Sequence, residues 1–269
     1  MPTLGVALPA ERARRGWAHR DAPVDWVNRL VAYGGVGAME AYARVAYSHR
    51  LETGHLIMYH DGIATPEADA AAMERHVAAI EKEIGRPLRE KIVWVRGSAL
   101  GQGGLSAFGI CLGSDHSPAP GDADDPAAVM DRHELAHGVA NQHVRPNSDV
   151  PSFINEGWAE CHSFAPGRRR LQARRIEALD LRAQGRWVPL RELGSPSWYH
   201  QHSGPVYDQG HLWVDFMLRI FGVDRLLDFA NTCRPETFDA DCRRVFGAGP
   251  DELEAMLWHD IEERIHAAD

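Results

Sequence analysis

The sequence predicts an α+β protein, with a mixed α/β subdomain carrying a small sheet followed by a mainly helical subdomain. Three observations predict it. Apolar runs of strand length, His55–Tyr59, Ile92–Val95 and Phe108–Leu112, all fall in the first half of the chain. From Arg168 to His266 the apolar spacing is helical instead. Between these stretches lies Pro146, before which any helix arriving from Pro126 must stop. The expected division is residues 1–50 as a partly helical N-terminal extension, 51–145 as the α/β subdomain and 146–269 as the helical one.

Each element has its own local reason. Residues 1–25 are punctuated by Arg and Pro and read as loose. Val27, Leu30, Val31, Met39, Tyr42, Val45 and Ala46 have helical spacing broken at Gly34, Gly35 and Gly37, so one or two helices are expected between Trp26 and His49. The strand His55–Tyr59 is ended by Asp61-Gly62. Pro66 to Ile84 is a helix, with Pro at its start, an Ala-rich body and Gly85 as its stop. The strand Ile92–Val95 is bounded by Gly97, and Phe108–Leu112 forms a short third strand. Ser114 to Asp125 is a polar loop, either a lid over the site or a plain linker. It ends on Asp124 or Asp125 as N-cap, with Pro126 in the first turn of the next helix. Pro151 starts another helix, which ends at Pro166-Gly167. Loops are expected around Gly194–Pro205 and Gly247–Pro250.

Composition excludes several function classes. The chain has 269 residues, 44% hydrophobic and 25% charged, which excludes a fibrous or fully disordered protein. No window reaches the ~18 apolar residues of a membrane span. With 29 Lys+Arg against 38 Asp+Glu, the formal charge is −9, and nucleic acid is not an expected partner. No apolar stretch follows Arg12, Arg14 and Arg15, so no signal peptide is read and the expectation is cytoplasmic, or secreted if the protein extends further. Four cysteines are too few for a disulfide scaffold, although a Cys233–Cys242 pairing is open. Arg168 to Arg175 is a basic run, expected to be a solvated helix face or, more sharply, a site for an acidic partner.

Fifteen histidines are many for this length, and two of them carry the chemistry. His133-Glu134-Leu135-Ala136-His137 is an H-E-x-x-H sequence on an expected helix. Spacing of four stacks both imidazoles on one face, where two nitrogens meet one Zn²⁺. Glu134 stands beside them, placed to take a proton from a metal-activated water. A catalytic zinc wants a third protein ligand, and two candidates exist. His143 has the spacing of the metzincin pattern, but the glycine that turns the chain there is replaced by Ala140. Glu156 follows His137 after eighteen residues, in Asn155-Glu156-Gly157-Trp158-Ala159-Glu160.

HELAH, eighteen residues, then NEGWAE resembles the gluzincin zinc metallopeptidases, the thermolysin-like and aminopeptidase-like branch. The resemblance covers about residues 50–225 and implies a thermolysin-like core. It implies Zn²⁺ held by His133, His137 and Glu156, the last from a helix antiparallel to the first, with Glu134 as general base. Glu160, one turn beyond Glu156, is implied to orient a zinc-bound histidine, with His133 the expected partner. Val206-Tyr207-Asp208-Gln209-Gly210 is similar to the Y-x-x-G segment of this group, which implies Tyr207 as the oxyanion donor. His200, His202 and His211 lie close enough in sequence to fill the same role. The G-x-M-E-N motif of the aminopeptidases has no counterpart in place, since Gly37-Ala38-Met39-Glu40-Ala41 lies too early and Gly103–Phe108 has no acid. The expected function is therefore a zinc-dependent hydrolase, a peptidase with a peptide or protein substrate. Strand Phe108–Leu112 would line its cleft. The alternatives are an inactive binding protein that kept the fold, a metzincin-type protease using His143, and a hydrolase of non-peptide amides or esters.

Overall fold

The computed structural model describes residues 40, 43–44, 47–63, 65–96, 104–107, 111–114, 126–145, 150–163, 170–195 and 203–267. The protein is α+β, and its chain clusters into two compact units, Met1–His143 and Val144–Asp269. Of the stretch between Trp26 and His49, where helices are expected, Glu40, Ala43 and Arg44 are described and helical, and Tyr47, Ser48 and His49 are described and not helical. The N-cap at Asp124 or Asp125 and the loop 115–125 lie outside the described residues.

The first unit contains a five-stranded sheet of order β1-β2-β3-β5-β4. Its strands are β1 (His49–Glu52), β2 (Leu56–His60), β3 (Ile92–Arg96), β4 (Gly104–Ala107) and β5 (Cys111–Ser114). β2, β3 and β5 run parallel, while β1 and β4 pair antiparallel at the two edges. All five residues of β3 are buried. Ile92 to Val95 supply the continuous apolar run that a central parallel strand covered on both faces needs, rather than an alternating one. Helix α1 (Pro66–Ile84) makes the crossover from β2 to β3. It starts on Pro66, ends on Gly85 in the left-handed region at φ 70°, and buries Ala70, Met73, Val77, Ile80 and Ile84 on one stripe. His55 ties the start of β2 to α1, with Nδ1 2.5 Å from Glu74 and Nε2 3.1 Å from Glu81.

Helix α2 (Pro126–Asn141) packs on α1, β4 and β5. From Asp131 to Val139 only Arg132 escapes burial. A helix covered all round has no reason to be amphipathic, and here it carries His, Glu and Asp inward. Gln142 closes it: its Oε1 accepts from the backbone N–H of Arg89 and Glu90 at 2.8 and 3.1 Å, and its Nε2 donates to Glu90 O at 2.9 Å.

Two strands escaped the sequence reading, and both are edges. β1 is exposed and polar (His-Arg-Leu-Glu), so it has no apolar alternation to detect. β4, Gly104–Ala107, lies in a Gly-rich stretch. The third expected strand, Phe108–Leu112, is shifted: residues 108–110 lie outside the described set, and β5 runs Cys111–Ser114.

The second unit is helical: α3 (Ser152–His162), α4 (Arg170–Ala183), α5 (Leu190–Leu193), α6 (Ser203–Phe221), α7 (Val223–Thr232), α8 (Phe238–Phe246) and α9 (Pro250–His266), with a 3-10 turn at Pro235–Thr237. The loop expected as far as Pro205 ends earlier, because Pro in a first turn gives up no helical hydrogen bond. The core is a chain of aromatic rings. Trp213, Phe216, Phe221, Phe246, Phe229, Phe238 and Phe153 follow one another at centroid distances of 4.9 to 6.4 Å. Edge-to-face and tilted pairs of this kind add to the burial of their area.

The basic run 168–175 is not a solvated face where it is described. Arg174 pairs with Asp208, and Arg175 lies 3.4 Å from Asp215, with side chains only 19% and 11% exposed. The carboxylates of α6 draw them inward, because a half-buried guanidinium needs a counter-charge. Cys233 and Cys242 are free thiols, and both are buried. Among the described residues no helix is long and apolar enough to cross a membrane.

Candidate metal centre

The HELAH segment starts at the middle of α2 and runs into its second half. Its five residues are helical and buried, with His133 8%, Glu134 7% and His137 4% exposed. The i,i+4 spacing puts the two rings edge to face, 4.8 Å apart between centroids, with Nε2 to Nε2 at 3.2 Å. Two nitrogens on one tetrahedral ion, each bonded at ~2.0–2.1 Å, stand roughly 3.3–3.4 Å apart. The observed separation is close to that value.

On α3, Glu156 is 9% exposed. Nδ2 of Asn155 lies 3.5 Å from Glu156 Oε1, so the preceding residue braces that carboxylate. One ligand atom from each of His133, His137 and Glu156 lies within 4.8 Å of the others. Two imidazoles and one carboxylate are a donor set that fits a divalent ion such as zinc, and three protein ligands leave a further position open. This buried group can hold a metal ion. Among the described residues it is the only group of three or more His, Cys, Asp or Glu so arranged.

His143 is not part of that group. It follows the helix in a turn, its N–H bonded to Ala140 O at 2.8 Å. Burial, then the charges of Arg89 and Arg86, push its imidazole below the usual histidine range. Its surroundings are therefore the loop after α1.

The remaining candidates sit on two helices of the second unit. Glu160 is half-buried, one turn beyond Glu156 on α3. Tyr207 is half-buried on α6, and His211, one turn later, is buried. His200 and His202 lie outside the described residues. What holds these two helices is a close approach the motifs did not reveal. A Cβ on Gly157 would stand 2.2 Å from Gly210 O, and one on Gly210 would stand 2.6 Å from Phe153 O. Only glycine permits backbones that near. Cys161 Sγ also donates to His211 O at 3.5 Å on the same crossing. Tyr207 is one turn before Gly210, so helix geometry puts it on the side of α6 that meets α3. The Gly of NEGWAE and the Gly of the Y-x-x-G segment are therefore partners in one contact.

Sequence reasoning also missed Arg96 and Asp131. Arg96 Nη1 and Nη2 donate to Asp131 Oδ1 and Oδ2 at 2.9 and 2.8 Å, and each residue is 1% exposed. The only available signal was an aspartate inside a helix that is otherwise covered.

No protein-family model, curated protein or solved structure matches the chain.

Proposed function

We propose that the protein is a zinc-dependent hydrolase of gluzincin type with a thermolysin-like core, a peptidase acting on a peptide or protein substrate. The observation that carries the reading is the buried group of His133, His137 and Glu156. The order HELAH, eighteen residues, NEGWAE supports it independently.

His133 and His137 supply two nitrogens from consecutive turns of α2, and Glu156 supplies a carboxylate from α3. A divalent ion in this donor set supplies Lewis-acid polarisation and makes a nucleophilic water available near neutral pH. Glu134 is buried between the two histidines in sequence, so its carboxylate acts where water is scarce. In the proposed reaction Glu134 accepts the proton of the attacking water and hands it to the leaving amine nitrogen. A positioned carboxylate in this role is worth about 10²–10⁴ in rate. Tyr207 donates its phenol hydrogen to the oxygen that becomes negative when the carbonyl is attacked, a donor worth roughly 2.7–4 kcal/mol. Glu160 accepts from the far nitrogen of a ligating histidine and holds its tautomer. Among the described residues β4 ends the sheet order of the first unit, and that edge is where an extended peptide would pair.

The test is cleavage of a diverse peptide library by the wild type and by Glu134→Ala, with zinc content measured on both. The expected outcome is equal zinc and a loss of at least about 10²-fold in turnover. In parallel, Glu156→Ala is expected to lose zinc and His143→Ala to keep it. Wild-type protein that holds zinc but cuts no peptide would overturn the peptidase reading. Zinc loss on His143→Ala instead would favour the metzincin ligand set.

A further inference from the structure

Arg96 and Asp131 form a buried, two-pronged ion pair whose purpose is not explained by packing. We infer that this pair positions helix α2, setting the rotation at which the face carrying His133 and His137 is presented to a bound ion. The inference rests on reading those two histidines as metal ligands.

Arg96 is the last residue of β3, held in register between His60 of β2 and Ser114 of β5. Its guanidinium lies 5.4 Å from the centre of the Trp94 ring, which is itself fully buried. Asp69 of α1 adds a second carboxylate, 4.0 Å from Nη2. The charge is therefore fixed by a central strand, an indole and two helices. On α2 the partner is Asp131, two residues before His133. At about 100° per residue, His133 lies roughly 200° and His137 roughly 240° around the helix from it. The anchored side and the ligand side of α2 are opposite faces.

Magnitudes decide what this anchor is for. Metal–ligand distances tolerate only about ±0.2 Å. At a radius of about 6 Å, a 10° rotation of a helix moves a ligand atom by roughly 1 Å, several times that tolerance. The apolar side chains that bury α2, Leu135, Ala136 and Val139, attract without direction and resist small rotations weakly. A bidentate guanidinium–carboxylate fork is directional. Buried ion pairs are weak sources of stability, so the return on this one lies in specifying an orientation. Arg96 and Asp131 are accordingly positioning residues and touch no reacting atom.

The test compares wild type, the paired apolar variant Arg96→Met/Asp131→Leu, and Arg96→Lys, which keeps the charge and loses the fork. Each is stripped of metal and titrated with Co²⁺, read by its visible d–d absorption, and each is melted without metal. Both variants are expected to bind Co²⁺ about 10–100-fold more weakly, with an altered d–d band, the size of effect typical of groups that orient metal ligands. The apolar pair is expected to melt close to wild type. Should the apolar pair fail to fold, Arg96→Lys alone carries the test. Folded variants with wild-type Co²⁺ affinity and spectrum would overturn the inference, whatever their melting temperature. Wild type that binds no Co²⁺ would remove the metal reading itself, which separates the two failures.

Discussion

The two units solve the same problem, holding a helix to within a fraction of an ångström, by opposite means. In the first, α2 is fixed at a distance through charged side chains reaching from the sheet, Arg96 to Asp131 at 2.8–2.9 Å. In the second, α3 and α6 approach until Gly157 meets the backbone of Gly210. The difference follows from the neighbours. A sheet presents its strand ends and long side chains, so a helix beside it is steered by a polar contact. Two helices can instead come together until their backbones touch, provided small residues line the crossing. Each device leaves the opposite vulnerability: the first fails when a charge is removed, the second when an atom is added.

Removing the charge is expected to have the largest effect. Arg96→Met leaves the Asp131 carboxylate without its fork in a site 1% exposed, and breaking a buried pair this way costs about 3–5 kcal/mol. Hydrogen exchange over β2 and β3 is expected to accelerate accordingly, while exchange over α3 and α6 stays near wild type. Equal acceleration in both units would break the comparison. Adding an atom comes next. Gly157→Ala places a Cβ 2.2 Å from Gly210 O and 2.9 Å from Val214 Cγ2, so the helices must separate. Overpacking of this kind costs about 1–3 kcal/mol. The expected readout is faster exchange over α3 and α6 only, and unchanged exchange there would show that the crossing yields more easily than the geometry implies.

The smallest expected effect is one of pH and belongs to the second unit. Burial pushes the thiols of Cys233 and Cys242 up to about 12 from an ordinary value of 9.0, with Asp241 adding to the first and Cys233 to the second. A group raised in the fold stabilises it below its unfolded value and loses that contribution as pH rises toward its folded value. Stability of the second unit is therefore expected to decline from pH 9 toward pH 12 as the unfolded chain sheds these two protons. Urea midpoints measured from pH 8 upward should fall less steeply in Cys233→Ala/Cys242→Ala. An identical slope in that variant would assign the decline to other groups.

Much of this architecture was legible beforehand. Helix α1 runs from Pro66 to Ile84 as its proline start, glycine stop and apolar stripe require, and the strand at Ile92 is announced by its apolar run. Strands β1 and β4 were not legible, because an edge strand made of His-Arg-Leu-Glu or of Gly-Leu-Ser-Ala earns its place by pairing with a neighbour. The basic run near Arg174 read as solvated because nothing local reveals that Asp208 and Asp215 wait on another helix.

The sequence by itself determined what can be counted along the chain. Two histidines four apart on a helix must share a face, and Glu134 must sit beside them, since 3.6 residues per turn is a property of the backbone. Only the tertiary structure decided that Arg96 answers Asp131 across 35 residues and that Gly157 and Gly210 share one crossing. Those choices depend on which distant surfaces meet. Local periodicity orients a side chain around its own axis, but partners are selected by packing and by the cost of leaving a buried charge unanswered.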